Sequence, residues 1–218
     1  MNVILNRRRA IMTVKSDSIP LLPSEYQQVE WVGRSSSPSD NGCINTEFIP
    51  TPQSSMYARL AAIGSQSNAN FLGSRDGTTG ADNAFLVVSF SSARKIGFFR
   101  WGSSVQCIGY DTDFHDYELT PTTAKIDGIS YTLAAPVASQ SSTQPIYLFR
   151  AWDGRMYNVA HPIKLASCSL WDNGVKMRDY MPCYKKEDGT IGMYDLVTSS
   201  FKEITGYGSN PQKGPDVN

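Results

Sequence analysis

Short runs in which apolar and polar residues alternate, or which are apolar throughout, follow one another from Leu22 almost to the end of the chain. A two-residue period indicates a β-strand with one buried face, and a short apolar run is typical of a strand buried on both faces. Segment 175–181 (VKMRDYM) alternates, whereas segment 84–90 (AFLVVSF) is nearly all apolar. Since no comparable amphipathic helix interrupts these runs, the pattern predicts an all-β protein.

Turn signals separate many of these runs. Asn-Gly or Asp-Gly pairs stand at 41–42, 76–77, 127–128, 153–154, 173–174 and 188–189. Such pairs tolerate the positive φ of tight hairpin turns, and many short strands joined in this way predict a β-sandwich. The Ser-rich stretches 35–41 and 135–144 are predicted loops. The predicted strands cover 28–33, 43–49, 55–63, 69–73, 84–90, 95–101, 104–110, 114–119, 122–127, 129–134, 145–151, 163–172, 175–184, 191–195 and 200–204.

The first residues differ from the rest in charge. Arg7, Arg8, Arg9 and Lys15 precede the first acidic residue, Asp17. We therefore expect a basic arm over residues 1–20 and a single sandwich domain over 21–218. The arm is either a solvated tail or a tether, in which the three arginines make charge-assisted contacts with carboxylates of a partner. We expect the tether.

Composition and charge exclude several classes of protein. The 218 residues include 20 Lys+Arg and 20 Asp+Glu, so the formal net charge is zero, which argues against nucleic-acid binding. No run of ~18 apolar residues is available to span a membrane, and the N-terminus lacks a signal-peptide core. Only 18% of the residues are charged, so Ser, Thr, Asn and Gln must supply much of the polar surface, as is common on extracellular and virion surfaces.

The four cysteines, Cys43, Cys107, Cys168 and Cys183, include no C-x-x-C pair, so no zinc site is predicted. An even number permits disulfides, and the sequence does not choose among the pairings. Buried free thiols are the favoured interpretation because each cysteine stands among apolar or β-forming neighbours.

Three stretches carry a resemblance to a known family. They are LPSEYQQVEWV (22–32) with GCINTEFIPT (42–51), then FHDYELTPTTAKIDGISYTL (114–133), and IKLASCSLWDNGVKMRDYMPCYKKEDGTIGMYDLVTSSF (163–201). Together they resemble the concanavalin A-like, laminin-G-like jelly-roll modules of bacteriophage virion proteins and gut-bacterial surface proteins. The resemblance implies a jelly-roll β-sandwich of two antiparallel sheets.

The resemblance also implies a function. We expect a non-enzymatic structural protein of a bacteriophage virion, a head or tail fibre or a capsid decoration module. The arm would attach it to other virion proteins, and it would form a homo-oligomer such as a trimer. The alternative is a lectin-like carbohydrate-binding module of a bacterial surface protein, which the virion hypothesis also accommodates through host-surface glycans. A glycoside hydrolase is the third hypothesis.

Acidic residues near residue 115 bear on the hydrolase hypothesis. Asp111, Asp113 and Asp116 are spaced D-x-D-x-x-D, similar to the E-x-D-x-x-E of sandwich-fold hydrolases. Retaining hydrolysis needs two carboxyls ~5–5.5 Å apart, but aspartates reach less far than the usual glutamates. We therefore predict no catalytic residues. The same oxygens are a candidate Ca²⁺ site, and a solvated turn is the favoured interpretation.

Aromatic residues suggest a binding site. Trp152 and Tyr157 flank a turn that contains Asp153 and Arg155, and exposed rings stack on sugars while polar side chains bond their hydroxyls. These four residues are the predicted glycan-binding site.

Other conspicuous residues are given structural roles. We predict that Trp31 and Trp171 anchor the core between the sheets. His115 alternates with Tyr117 and Leu119 and is expected to be a hydrogen-bonded structural residue.

Overall fold

The structure, a computed structural model, describes residues 22–35, 40–63, 69–76, 84–90, 95–109, 111–135, 142–151 and 162–218, with backbone alone at 90 and 108. This part of the chain contains 17 strands and no helix, and hence no helix that could cross a membrane. The strands are β1 Tyr26–Gln28, β2 Val32–Arg34, β3 Ile44–Asn45, β4 Ser54–Ala62, β5 Ala69–Arg75, β6 Ala84–Phe90, β7 Lys95–Arg100, β8 Ser103–Gly109, β9 His115–Leu119, β10 Thr123–Ile126, β11 Ile129–Thr132, β12 Tyr147–Leu148, β13 Ile163–Asp172, β14 Val175–Lys185, β15 Ile191–Asp195, β16 Ser200–Glu203 and β17 Pro211–Lys213.

The strands form two antiparallel sheets that pack as a sandwich, which confirms the predicted fold class. The larger sheet has the order β11-β10-β9-β4-β13-β14-β15-β16, with β1 beside β14 and with β2 between β13 and β17. The smaller sheet has the order β3-β12-β5-β6-β7-β8. Strands distant in sequence therefore lie side by side, as β4 and β13 do in the middle of the larger sheet.

Alternation places one face of each strand in a shared core. Tyr117 and Leu119 of β9 and Cys168 and Leu170 of β13 pack there with Phe71, Phe85 and Phe98 of the smaller sheet. Strand β6 is buried on both faces, because Ala84, Leu86 and Val88 pack in a second cluster outside the smaller sheet. This double burial explains why segment 84–90 is apolar throughout.

One expectation about the core is wrong. Trp31 and Trp171 are half-buried on the outer face of the larger sheet, where Lys164 Nζ lies 4.6 Å from the ring of Trp31 and Lys176 Nζ 5.5 Å from that of Trp171. The core tryptophan is Trp101, which is fully buried against Phe85. Indoles at outward positions of a strand are shielded by lysine stems instead of by the opposite sheet.

The cysteines agree with the favoured interpretation, since all four are buried thiols that form no disulfide. Burial raises the pKa of Cys107 to about 11 and that of Cys183 to about 12. Thiols of such high pKa carry little thiolate at neutral pH and are poor nucleophiles.

The C-terminal segment returns to the start of the domain. Strand β17 pairs with β2, and Asp216 forms a bridge with Val29. The amide of Val217 donates to the carbonyl of Gln28 at 3.0 Å. The N-terminal and C-terminal parts of the described chain therefore lie side by side in the larger sheet.

Candidate functional site

The outer face of the larger sheet is polar in its middle. Ser169 of β13 stands directly opposite Tyr57 of β4 on one side and Asp179 of β14 on the other. Glu118 of β9 extends the same row and pairs with Lys125 of β10 at 2.7 Å. The inward neighbours of these residues belong to the core, so alternation directs this row outward.

Strands β13 and β14 separate beside this row. Their pairing stops at Cys168 and Tyr180, and beyond that point β2 pairs with β13 while β1 pairs with β14. A bulge at Ala166 accompanies the separation, and the amide of Val29 donates to the carbonyl of Pro182 at 3.1 Å. The two central strands thus form a fork that is closed by the N-terminal segment.

The fork contains a pocket with a volume of about 320 Å³. Gln28, Ser167 and Asp179 supply polar groups, and Met181 and Leu196 supply apolar walls. A few polar groups in a mainly apolar concavity is the usual composition of a small-molecule site. The remaining lining residues are Ala166, Tyr180 and Pro182.

Asp179 is held in position by its neighbours. Its Oδ1 accepts from Ser169 Oγ at 2.6 Å, and its Oδ2 accepts from Lys176 Nζ at 2.9 Å. Its own amide donates to the buried Asp195 at 2.9 Å. An ionised carboxylate offers about four acceptor positions, so Asp179 can accept further hydrogen bonds from a ligand.

Tyr57 links the pocket to the neighbouring strands. Its hydroxyl donates to Asp116 Oδ1 at 2.8 Å and is also hydrogen-bonded to Ser167. Burial, and then the adjacent Asp116, raises the pKa of Tyr57 to about 12, so the phenol keeps its proton. Arg59 Nη1 lies 3.0 Å from the same carboxylate oxygen.

The aspartates of the predicted acidic site contact different partners. Asp116 bonds Tyr57 and Arg59 on the outer face, whereas Asp111 Oδ1 lies 2.8 Å from His115 Nε2. The carboxylate of Asp111 also accepts from the amide of Asp113 at 2.8 Å, as in a solvated turn. Within the described residues no three His, Cys, Asp or Glu side chains are arranged to hold a metal ion. Calcium binding gains no support and stays a prediction.

His115 has the structural role that was predicted. Its Nδ1 lies 2.5 Å from Asp127 Oδ2, and its Nε2 is taken by Asp111. A carboxylate accepts hydrogen bonds, and both ring nitrogens donate when the ring is protonated, so the two aspartates favour the imidazolium form. Asp111, His115 and Asp127 together form a clamp. The clamp ties the segment before β9 to the turn between β10 and β11.

Other predicted site residues lie outside the described residues. These are the glycan-binding set Trp152, Asp153, Arg155 and Tyr157 and the arm residues Arg7, Arg8 and Arg9. Both sites stay predictions. Sequence reasoning assigned no site role to the pocket residues Gln28, Ser167, Asp179, Met181 and Leu196. All five lie within the stretches 22–32 and 163–201 that carry the resemblance, and the hairpin turn at 173–174 was the available signal, since it directly precedes the fork.

The comparisons with known proteins are limited to structure. No protein-family model matches the chain, and no curated protein matches it either. Among solved structures, a candidate carbohydrate-binding protein from Bacteroides ovatus matches with a TM-score of 0.55 and 10% sequence identity. The alignment covers 88% of this chain and 62% of that one, so this chain spans less than two thirds of its neighbour. At this identity the likeness shows a shared fold alone.

Proposed function

We propose that the chain is a carbohydrate-binding β-sandwich module that holds a sugar in the pocket between β13 and β14. This is the alternative of the two leading sequence hypotheses, and the fold of the Bacteroides ovatus neighbour supports it. The virion role, the homo-oligomer and the attachment through the arm stay predictions of the sequence, and they are compatible with a sugar-binding module.

The composition of the pocket carries the proposal. A pyranose presents hydroxyls around its edge and C–H groups on its faces, so it needs both acceptors and apolar walls. Asp179 accepts hydroxyls, Gln28 both donates and accepts through one carboxamide, and Ser167 adds a hydroxyl. Met181 and Leu196 contact the C–H face. A volume of about 320 Å³ suits one or two sugar rings.

Binding without hydrolysis is the second part of the proposal. A glycosidase needs a general acid with a raised pKa beside a second carboxylate. Hydrogen bonds from His115 and from the amide of Asp113 instead lower the pKa of Asp111. Asp179 is engaged by Lys176, and among the described residues no second carboxylate lines the pocket. These features favour recognition of a sugar over chemistry on it.

The experiment is a glycan-array screen of the full chain, followed by calorimetric titration of each glycan that binds. Asp179→Asn and Gln28→Ala should each weaken binding by about tenfold or more, because hydrogen bonds to charged or buried groups are worth ~1.5–3 kcal/mol. Ser167→Leu should block the pocket. Asp188→Asn, in an exposed turn, is the matched control and should bind as the unmodified chain does.

The outcomes separate the hypotheses. Absence of any bound glycan, or normal binding by all three pocket variants, would overturn the proposal. Normal binding by the pocket variants together with loss in Trp152→Ala would move the site to the residues predicted from the sequence.

A further inference from the structure

One end of the smaller sheet is polar on the face that meets the core. Ser74, Phe85, Arg100 and Ser103 stand opposite one another in successive strands β5, β6, β7 and β8. Phe85 belongs to the core cluster, so this row faces the interior. Each of the four is buried, Arg100 with none of its surface exposed. An arginine therefore occupies a position where an apolar residue is expected.

The guanidinium of Arg100 is only partly satisfied. One nitrogen, Nη2, donates to the carbonyl of Ala134. Nε and Nη1 are buried and have no hydrogen-bond partner among the described residues, and no described carboxylate forms an ion pair with this side chain. The pKa of Arg100 is lowered, and burial is the single cause. Arginine nevertheless keeps its charge in proteins, so a whole positive charge is enclosed.

Two other arginines, the buried Arg34 and the partly buried Arg178, lie beside carboxylates. Arg34 Nε lies 3.9 Å from Asp40 Oδ1, and Arg178 Nε lies 3.5 Å from Asp195 Oδ2. The cost of enclosing an ion is several kcal/mol unless an opposite charge accompanies it. Asp40 and Asp195 supply that charge for their arginines, whereas the described residues supply none for Arg100.

Ser103 adds a donor beside the arginine. It stands directly opposite Arg100, and directly opposed residues have Cβ atoms ~4.5–5.5 Å apart. Its Oγ accepts from the amide of Ala134 at 3.0 Å, so its own proton remains free to be donated. Two guanidinium nitrogens, Nε with one N–H and Nη1 with two, and one hydroxyl are thus available on directly opposed residues.

We infer that Arg100 and Ser103 form a binding site for a small inorganic anion, such as a halide, at this end of the sandwich. The anion accepts hydrogen bonds from Arg100 Nε, Nη1 and the hydroxyl of Ser103, and it neutralises the enclosed charge. A halide is favoured over a larger, polyatomic anion because Arg100 has no exposed surface through which such an anion could be held. The inference is independent of the sugar pocket.

The test uses the full chain at constant ionic strength, with chloride replacing gluconate. The thermal midpoint should rise with chloride concentration and reach a plateau, since a ligand that binds only the folded state stabilises it by mass action. Arg100→Met, which keeps the length of the side chain without its charge, should weaken the apparent chloride affinity at least tenfold. Arg59→Met removes an exposed arginine and should leave the chloride response unchanged.

Two further measurements keep the inference testable. If Arg100→Met does not fold, Ser103→Ala should show a reduced chloride response in a folded chain. Crystals grown with bromide should show an anomalous peak beside the guanidinium of Arg100. A wild-type midpoint independent of chloride, an unchanged response in both variants, or a bromide-containing crystal without that peak would each overturn the site.

Discussion

Protonation of the His115 ring contributes to the stability of the fold. Partial burial by itself lowers the pKa of His115, but the hydrogen bonds and charges of Asp111 and Asp127 outweigh burial and raise it. The stabilisation from these hydrogen bonds and charges is complete below the pKa of histidine in the unfolded chain, ~6.5. It is lost as pH rises through the higher pKa that His115 has in the folded protein. The clamp is therefore strongest in mildly acidic solution.

We expect the free energy of unfolding to fall between pH 6 and pH 9 by more in the unmodified chain than in His115→Asn. Urea denaturation at a series of pH values measures this. Asp188→Asn is the control because it alters a carboxylate outside the clamp. Parallel pH profiles for the unmodified chain and His115→Asn would show that the clamp has no such role.

Replacement of Trp101 and replacement of Trp171 should lower the free energy of unfolding by different amounts. Trp101 is fully buried, stacks on Phe85 at 6.1 Å and donates from Nε1 to the carbonyl of Thr51 at 3.2 Å. Trp101→Ala should therefore cost ~3–5 kcal/mol. Trp171→Ala, on the half-buried outer face, should cost less than ~1 kcal/mol. Urea denaturation compares them, and equal costs would contradict this assignment of the core.

At the scale of the strand, substitution of two glycines distinguishes the effect of backbone strain from the effect of crowding. Gly174 in the β13–β14 turn has φ +78°, and a Cβ there would meet nothing within 4 Å. Gly73 in β5 has φ +146°, and a Cβ there would lie 2.5 Å from backbone atoms of Phe85 and Leu86. The first position imposes strain alone, whereas the second imposes strain and a clash with a neighbouring strand.

Gly174→Ala should cost ~1–2 kcal/mol, the price of a left-handed conformation for an L-residue. Gly73→Ala should cost about 3 kcal/mol or more, since strain and overpacking add. Chemical denaturation of both variants measures the difference. A cost for Gly73→Ala no greater than that for Gly174→Ala would show that β5 and β6 can move apart.

The sequence predicted the bounds of some strands more closely than those of others. Strands β6, β13 and β15 have the predicted bounds, because each is a clear apolar or alternating run. The predicted strand 28–33 is instead β1 and β2, which pair with different partners. Strand β17, with the sequence Pro-Gln-Lys, carries no periodic signal, because it is held by the edge of β2 and not by burial.

The pocket was beyond sequence reasoning for a related reason. It exists because β13 bulges at Ala166 and because β1, more than 130 residues away in sequence, enters the fork. Both are consequences of long-range register, which residue type does not encode locally. The sequence could identify Asp179 as part of a hairpin, but not Gln28 as its neighbour across a pocket.

On the scale of the whole molecule, apolar and charged side chains lie in different regions of the sandwich. The main cluster of buried side chains between the sheets is hydrophobic, and the row that contains Arg100 adds buried polar groups at one end. The middle of the larger sheet presents a polar outer face with paired charges, as Glu118 with Lys125 and Asp179 with Lys176. Charge pairing of this kind keeps such a surface soluble, while the fork provides the concave feature to which we assign sugar binding.

The return of the C-terminal segment to β1 has a consequence for anything joined to this domain. Gln28 lines the pocket, and its carbonyl accepts the amide of Val217. A passenger attached after Val217 would therefore lie close to the pocket. The length of the linker to such a passenger should then govern which surfaces the proposed sugar pocket can engage.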